Sequence, residues 1–122
     1  MKIRLDYVSV SVAGDYNQVM FEDKEEEEDE GDEILDAPYV LIQRQFEMPD
    51  GGCIYIETHD ESFIGHFGVV RCTLGLKQLS LQLRRKRFAE LEVRFSISHH
   101  KYMELKEALR TMIPRIELLE GL

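Results

Sequence analysis

The chain has 122 residues, with 24 acids against 15 lysines and arginines, a net charge of −9 and two cysteines. That length predicts a single domain over residues 1–122, able to bury a core without metal ions or disulfides. The negative balance speaks against general nucleic-acid or anionic-membrane binding, because both surfaces repel it.

KIRLDYVSVSV opens in strict alternation, with Ile3, Leu5 and Tyr7 on one face and Lys2, Arg4 and Asp6 on the other. Val8, Val10 and Val12 then become the apolar set. A period of two cannot change phase without a bulge or bend, which is predicted near Tyr7 and Val8. The alternating charges of MKIRLDYVSV do not form a signal-peptide core, and no stretch is long and apolar enough to cross a bilayer, so a cytoplasmic location is expected. AGDYNQVMF supports no assignment.

From Glu22 to Asp36 the chain carries eleven acids and one lysine, a net of −10. The rest keeps 13 of the 24 acids and 14 of the 15 bases and is nearly neutral. The acidity therefore belongs to one insertion, expected to be flexible. A calcium loop fails on spacing: with Gly31 in the sixth place, Ala37 stands where a bidentate glutamate is required. Two readings stay open. One is a solvated loop between strands; the other is an arm that meets a basic partner through Glu25, Glu26, Glu27, Glu28, Asp29, Glu30, Asp32 and Glu33.

PYVLIQRQF reads as a strand with Val40, Ile42 and Phe46 on its apolar face, a set that Arg44 interrupts. MPDGG supplies a turn and CIYIET a return strand, so a hairpin is predicted from Tyr39 to Thr58. HDESFIGHFG reads as a polar, glycine-bearing loop. VVRCTLG and KQLSLQLR follow as strands, RRKRF as a basic turn, and AELEVRFSI as a strand burying Leu91, Val93, Phe95 and Ile97. In SHHKYMELKEALRTMIPRI the period becomes helical, through Tyr102, Leu105, Leu109, Met112 and Ile116. Ser98 is the expected N-cap and Pro114 the stop. The predicted architecture is α+β: a mostly antiparallel meander of about six strands with a C-terminal helix packed on the sheet.

Catalytic signatures are absent. Neither Cys53 nor Cys72 has CxxC spacing, and the nucleophile-elbow and phosphate-loop patterns do not occur. His59, Asp60 and His66 match no metal-ligand spacing, and the adjacent His99 and His100 cannot readily chelate one ion on a helix. No catalytic residues, metal or cofactor are therefore expected. The turn Arg84 to Arg87 is the one basic cluster, with readings as an exposed turn, a counter-charge to the acid run, or a nucleic-acid contact.

Residues 38–113 resemble the immunity protein 10 family of polymorphic-toxin immunity proteins. The resemblance runs through PYVLIQRQFE, CIYIETHDESFIGHFGVV, LSLQL, ELEVRFSI and the closing helix SHHKYMELKEALRTMI. The loop GHFGVV has fewer glycines than the family's, and the acid run has no counterpart in its pattern. The resemblance implies a bacterial, non-enzymatic protein that binds and neutralises a cognate toxin, and an acidic surface suits a basic, nuclease-like target. His59, Asp60, Glu61 and His66 join the acid run as expected partner-binding residues. An alternative is a small-ligand or regulatory module whose cleft is lined by the loop His59 to Gly68. A third reading is an enzyme that uses His66 with Asp60 or Glu61. Homo-oligomerisation through an edge strand is left open.

Overall fold

The computed structural model describes residues 1–14, 16–23, 37–45 and 53–119. Nine strands and one helix occur among them: β1 (Lys2–Arg4), β2 (Tyr7–Ala13), β3 (Tyr16–Glu22), β4 (Tyr39–Gln45), β5 (Cys53–Thr58), β6 (Gly65–Leu74), β7 (Gln78–Leu83), β8 (Glu90–Arg94), α1 (His99–Met112) and β9 (Glu117–Leu118). A short 3-10 turn, Glu61–Phe63, precedes β6. The α+β class and the mostly antiparallel meander agree with expectation, whereas the strand count is nine rather than six.

Three differences account for the count. The first expected strand is two, because the phase change falls at Leu5 and Asp6, just before the predicted position. The unassigned AGDYNQVMF contains β3, which buries Asn17, Val19 and Phe21 in strict alternation. Its hairpin with β2 closes between Ala13 and Tyr16, where Gly14 supplies a φ of +59°. Gly-Asp between two alternating runs is a two-residue hairpin signal of the kind that local sequence carries. The third addition, β9, is a two-residue parallel pairing with β6 after the helix.

Hydrogen bonding runs in the order β1-β8-β7-β6-β5-β4-β3-β2. The first and last strands of this path are consecutive in sequence. Seven inter-strand spacings in a flat sheet would separate them by roughly 34 Å, whereas three peptide units span at most about 11 Å. The sheet must therefore curl until β1 and β2 come together at the residues that join them, although the two strands do not pair. Leu5 and Asp6 make the crossing: Leu5 is fully buried and donates its N–H to Arg94 O at 2.8 Å, and Asp6 Oδ1 accepts the Ser96 N–H at 2.9 Å. On the other side β6 turns the corner. Its Gly65–Gly68 segment pairs with β5, the part from Val69 on pairs with β7, and that second pairing carries a bulge at Val70. GHFG, expected as loop, is therefore strand, and the would-be Cβ of Gly68 lies 3.3 Å from the Arg84 side chain packed over it.

Leucines and valines of β3 to β8 fill the interior, and Phe21 stacks on Phe95 with ring centroids 5.9 Å apart. Helix α1 packs on β2 and β3 through Tyr102, Leu105, Ala108, Leu109 and Met112. Ser98 Oγ accepts the Lys101 N–H at 3.1 Å, so the expected N-cap is present. Arg44, which interrupted the apolar set of β4, donates from Nη1 to Met112 O at 2.6 Å. It supplies a cation and a donor to the helix C-terminus, whose last carbonyls have no partner within the helix. Among the described residues no helix is long and apolar enough to cross a membrane.

Candidate functional surface

Because side chains alternate along a strand, register decides which residues share a face. In the β2-to-β6 half, one outward row runs Tyr7, Glu22, Tyr39. The next is Ser9, Met20, Leu41, Glu57, and a third is Ser11, Gln18, Gln43, Tyr55, His66. Tyr16 extends the same face beside Gln18, whose Oε1 accepts its hydroxyl at 2.9 Å. Four of the five tyrosines thus lie on one outer face, the fifth being the buried Tyr102 of α1. Among the described residues those three rows carry Glu22 and Glu57 and no lysine or arginine, and the Arg84 side chain, packed over Gly68 beside Cys53, borders the face at its β6 end. The outer face of the β1-β8-β7-β6 half is different: it mixes Lys2, Arg4, Arg71 and Arg94 with Glu90 and Glu92, and Arg94 pairs with Glu92 at 3.3 Å.

Glu57 organises the first of these faces. Its two carboxylate oxygens accept the hydroxyls of Tyr39 and Tyr55, each at 2.9 Å. Burial, then the bond to Glu57, pushes the Tyr39 phenol above its ordinary value of 10.0. For Tyr55 the bond to Glu57 comes first and burial second, in the same direction. A raised phenol pKa means that folding favours the protonated side chain. Its contribution to stability is whole below pH 10 and fades as the pH climbs through the raised values. Glu57→Gln should therefore lower both alkaline midpoints in a tyrosine absorbance titration, and Tyr55 should move further than Tyr39. Midpoints unchanged from the parent would show that the carboxylate does not hold them.

The expected partner-binding residues separate on this surface. His59 flanks Tyr39, whose backbone N–H donates to its Nδ1 at 3.2 Å, and His66 tilts against Tyr55 with centroids 5.2 Å apart. The two histidines, seven residues apart in sequence, therefore border the Tyr39–Glu57–Tyr55 cluster. Asp60 serves the local backbone, since its Oδ1 caps the 3-10 turn by accepting the Ser62 N–H at 2.9 Å. Glu61 is exposed at the start of that turn. Glu25, Glu26, Glu27, Glu28, Asp29, Glu30, Asp32 and Glu33 lie outside the described residues, as does the predicted MPDGG turn. The segment that holds the acids runs between Asp23 and Ala37, and the flanking Glu22 and Tyr39 are register partners on the tyrosine face. Sequence reading missed this face, because its rows are set by the register between strands, which no single strand's pattern carries.

The basic turn also resolves into parts. Arg85 is half-buried, with its guanidinium 4.9 Å from the Phe67 ring centroid and 5.8 and 5.9 Å from those of Phe63 and Phe88. It also donates to Ser62 O at 2.8 Å. Arg85 therefore fastens the β7–β8 turn to the 3-10 turn, as an arginine among aromatic faces can. Arg84, Lys86 and Arg87 are exposed. Cys72 is buried, which pushes its thiol up to about 12, so it is a poor nucleophile at neutral pH; Cys53 is half-buried on the tyrosine face. Two grooves lie away from the His59 to Gly68 loop. One, of about 460 Å3, is on the mixed-charge face by Arg71, Ser80 and Glu92; the other runs between β2 and α1.

No family model matches the chain, and no curated protein or solved structure shows significant similarity to it. These comparisons lend the expected resemblance to the immunity family no support.

Proposed function

We propose that this protein acts by binding: it is a non-enzymatic bacterial immunity protein that neutralises a cognate toxin, and the toxin's contact surface is basic. The observation that carries this reading is the tyrosine face. Half-exposed Tyr7, Tyr16, Tyr39 and Tyr55, with Met20 and Leu41 between them, make a broad patch whose rows hold no lysine or arginine among the described residues, with Arg84 at its border over Gly68. Tyrosine and methionine are enriched in protein interfaces while lysine is depleted, and tyrosine gives large contact area for little rotamer entropy. Glu22 and Glu57 give the patch its sign, and the acid-rich segment joins it at Glu22 and Tyr39. A nuclease holds phosphate through basic residues, so such a surface competes for the groups that bind substrate. The acids would also raise the association rate in a salt-dependent way.

The test is co-expression with the product of the adjacent gene, followed by capture and rate measurements. Excision of residues 24–36 is feasible because Glu22 and Tyr39 are already paired and a short turn can close the hairpin. The excised protein should associate more slowly, with a flatter dependence of rate on salt. Capture of no toxin domain, or unchanged kinetics after excision, counts against the reading.

A further inference from the structure

The geometry points to a second interaction surface, the free edge of β2, and to a second copy of this chain as its occupant. The two strands that end the hydrogen-bonding path are built differently. β1 has three residues, and two of them, Lys2 and Arg4, are charged and exposed. Short length and charge are standard means of keeping an edge from pairing. β2 is seven residues long, reads Tyr-Val-Ser-Val-Ser-Val-Ala and has no charge and no proline. It pairs with β3 on one side, and among the described residues no strand pairs with the other. Every second residue therefore directs an N–H and a C=O away from the sheet.

The strand suits its own reverse. An antiparallel pairing centred on Val10 sets Val8 of one copy opposite Val12 of the other, and Ser9 opposite Ser11. Valine meets valine on the inner face and serine meets serine on the outer one, so no buried face is turned to water. This arrangement also covers apolar surface. Val12 is 64% exposed, and with Val10 and Ala108 it borders the groove of about 570 Å3 beside α1. The rim residue Glu104 already has His100 Nε2 at 3.0 Å and Lys101 Nζ at 3.4 Å.

The points where the acid-rich segment leaves the sheet do not meet in this pairing. Glu22 and Tyr39, where the acid-rich segment joins the sheet, align with Tyr7, at one end of β2. Antiparallel pairing sends these ends apart by about six residues, or roughly 20 Å along the seam. At physiological salt that is more than twice the screening length of about 8 Å. A two-fold axis through Val10 leaves both tyrosine faces on the same side, so the dimer presents a doubled binding surface.

Analytical ultracentrifugation decides the matter. The parent protein should sediment at twice the monomer mass at micromolar concentrations. Ser9→Lys with Ser11→Lys, both exposed positions, sets lysine opposite lysine at the seam and should shift the protein to monomer with an unchanged circular dichroism spectrum. Val12→Lys should do the same by another route, and Gln82→Lys, on the other outer face, should remain dimeric. A parent protein that is monomeric at hundreds of micromolar, or folded β2 lysine variants that stay dimeric, overturns the proposal. Neither outcome depends on the toxin.

Discussion

Replacing Tyr39 or Tyr55 by alanine should weaken the proposed toxin binding by about 30-fold each, corresponding to roughly 2 kcal/mol for an interface anchor. These two are singled out because Glu57 holds both hydroxyls at 2.9 Å, so their rings are positioned before a partner arrives. Immobilised side chains lose less entropy on binding than free ones. Phenylalanine at either position keeps the ring and releases the hydroxyl, and should cost much less than alanine. Exposed Gln82, on the mixed-charge face, serves as the control, and Gln82→Ala should leave affinity unchanged. Titration calorimetry against the captured toxin reads each of these variants. Losses that follow Gln82 rather than the tyrosines would move the interface to the opposite side of the molecule.

The largest effect on stability is expected at Phe95. Phe95→Ala should lower the free energy of unfolding by about 3–5 kcal/mol, the usual range when a buried phenylalanine is truncated in a core that cannot collapse. Phe95 follows β8, is almost wholly buried and stacks on Phe21 of β3. Those two strands flank the β1–β2 crossing, so the ring pair closes the core where the curled sheet meets itself. Phe21→Ala should cost a similar amount. The double variant should fall short of the sum by roughly 0.5–1.5 kcal/mol, the coupling of an aromatic pair. Urea unfolding followed by circular dichroism measures all three; strict additivity would mean that the stack contributes nothing beyond burial.

Local pattern determined much of the fold. The helical spacing of Tyr102, Leu105, Leu109 and Met112 placed α1, and Ser98 marked its start. Strict alternation placed β7 and β8, and the flanking runs of the Tyr39 to Thr58 hairpin became β4 and β5. The phase change in KIRLDYVSVSV announced a break, although its place is Leu5 and Asp6 rather than Tyr7 and Val8. In each of these cases the deciding residues lie within a few positions of one another, and period and capping are local properties. The charge of the Glu22 to Asp36 run was equally legible, since it is a matter of counting.

Tertiary structure alone decided what those elements do together. The meeting of β1 with β8 joins residues about ninety positions apart and is parallel, so no hairpin turn announces it. Arg44 was an anomaly within β4 until α1 brought Met112 O to it. Arg85 belonged to an exposed basic turn until Phe63, Phe67 and Phe88 came round it. The tyrosine face depends on the register of five strands, and a slip of one residue in any of them would send that strand's contribution to the core. Alternation within the sequence says that Tyr39 and Tyr55 each point away from their own strand's buried side. Only pairing through Leu41 and Glu57 sets them on one carboxylate, because register is fixed between strands and not within them.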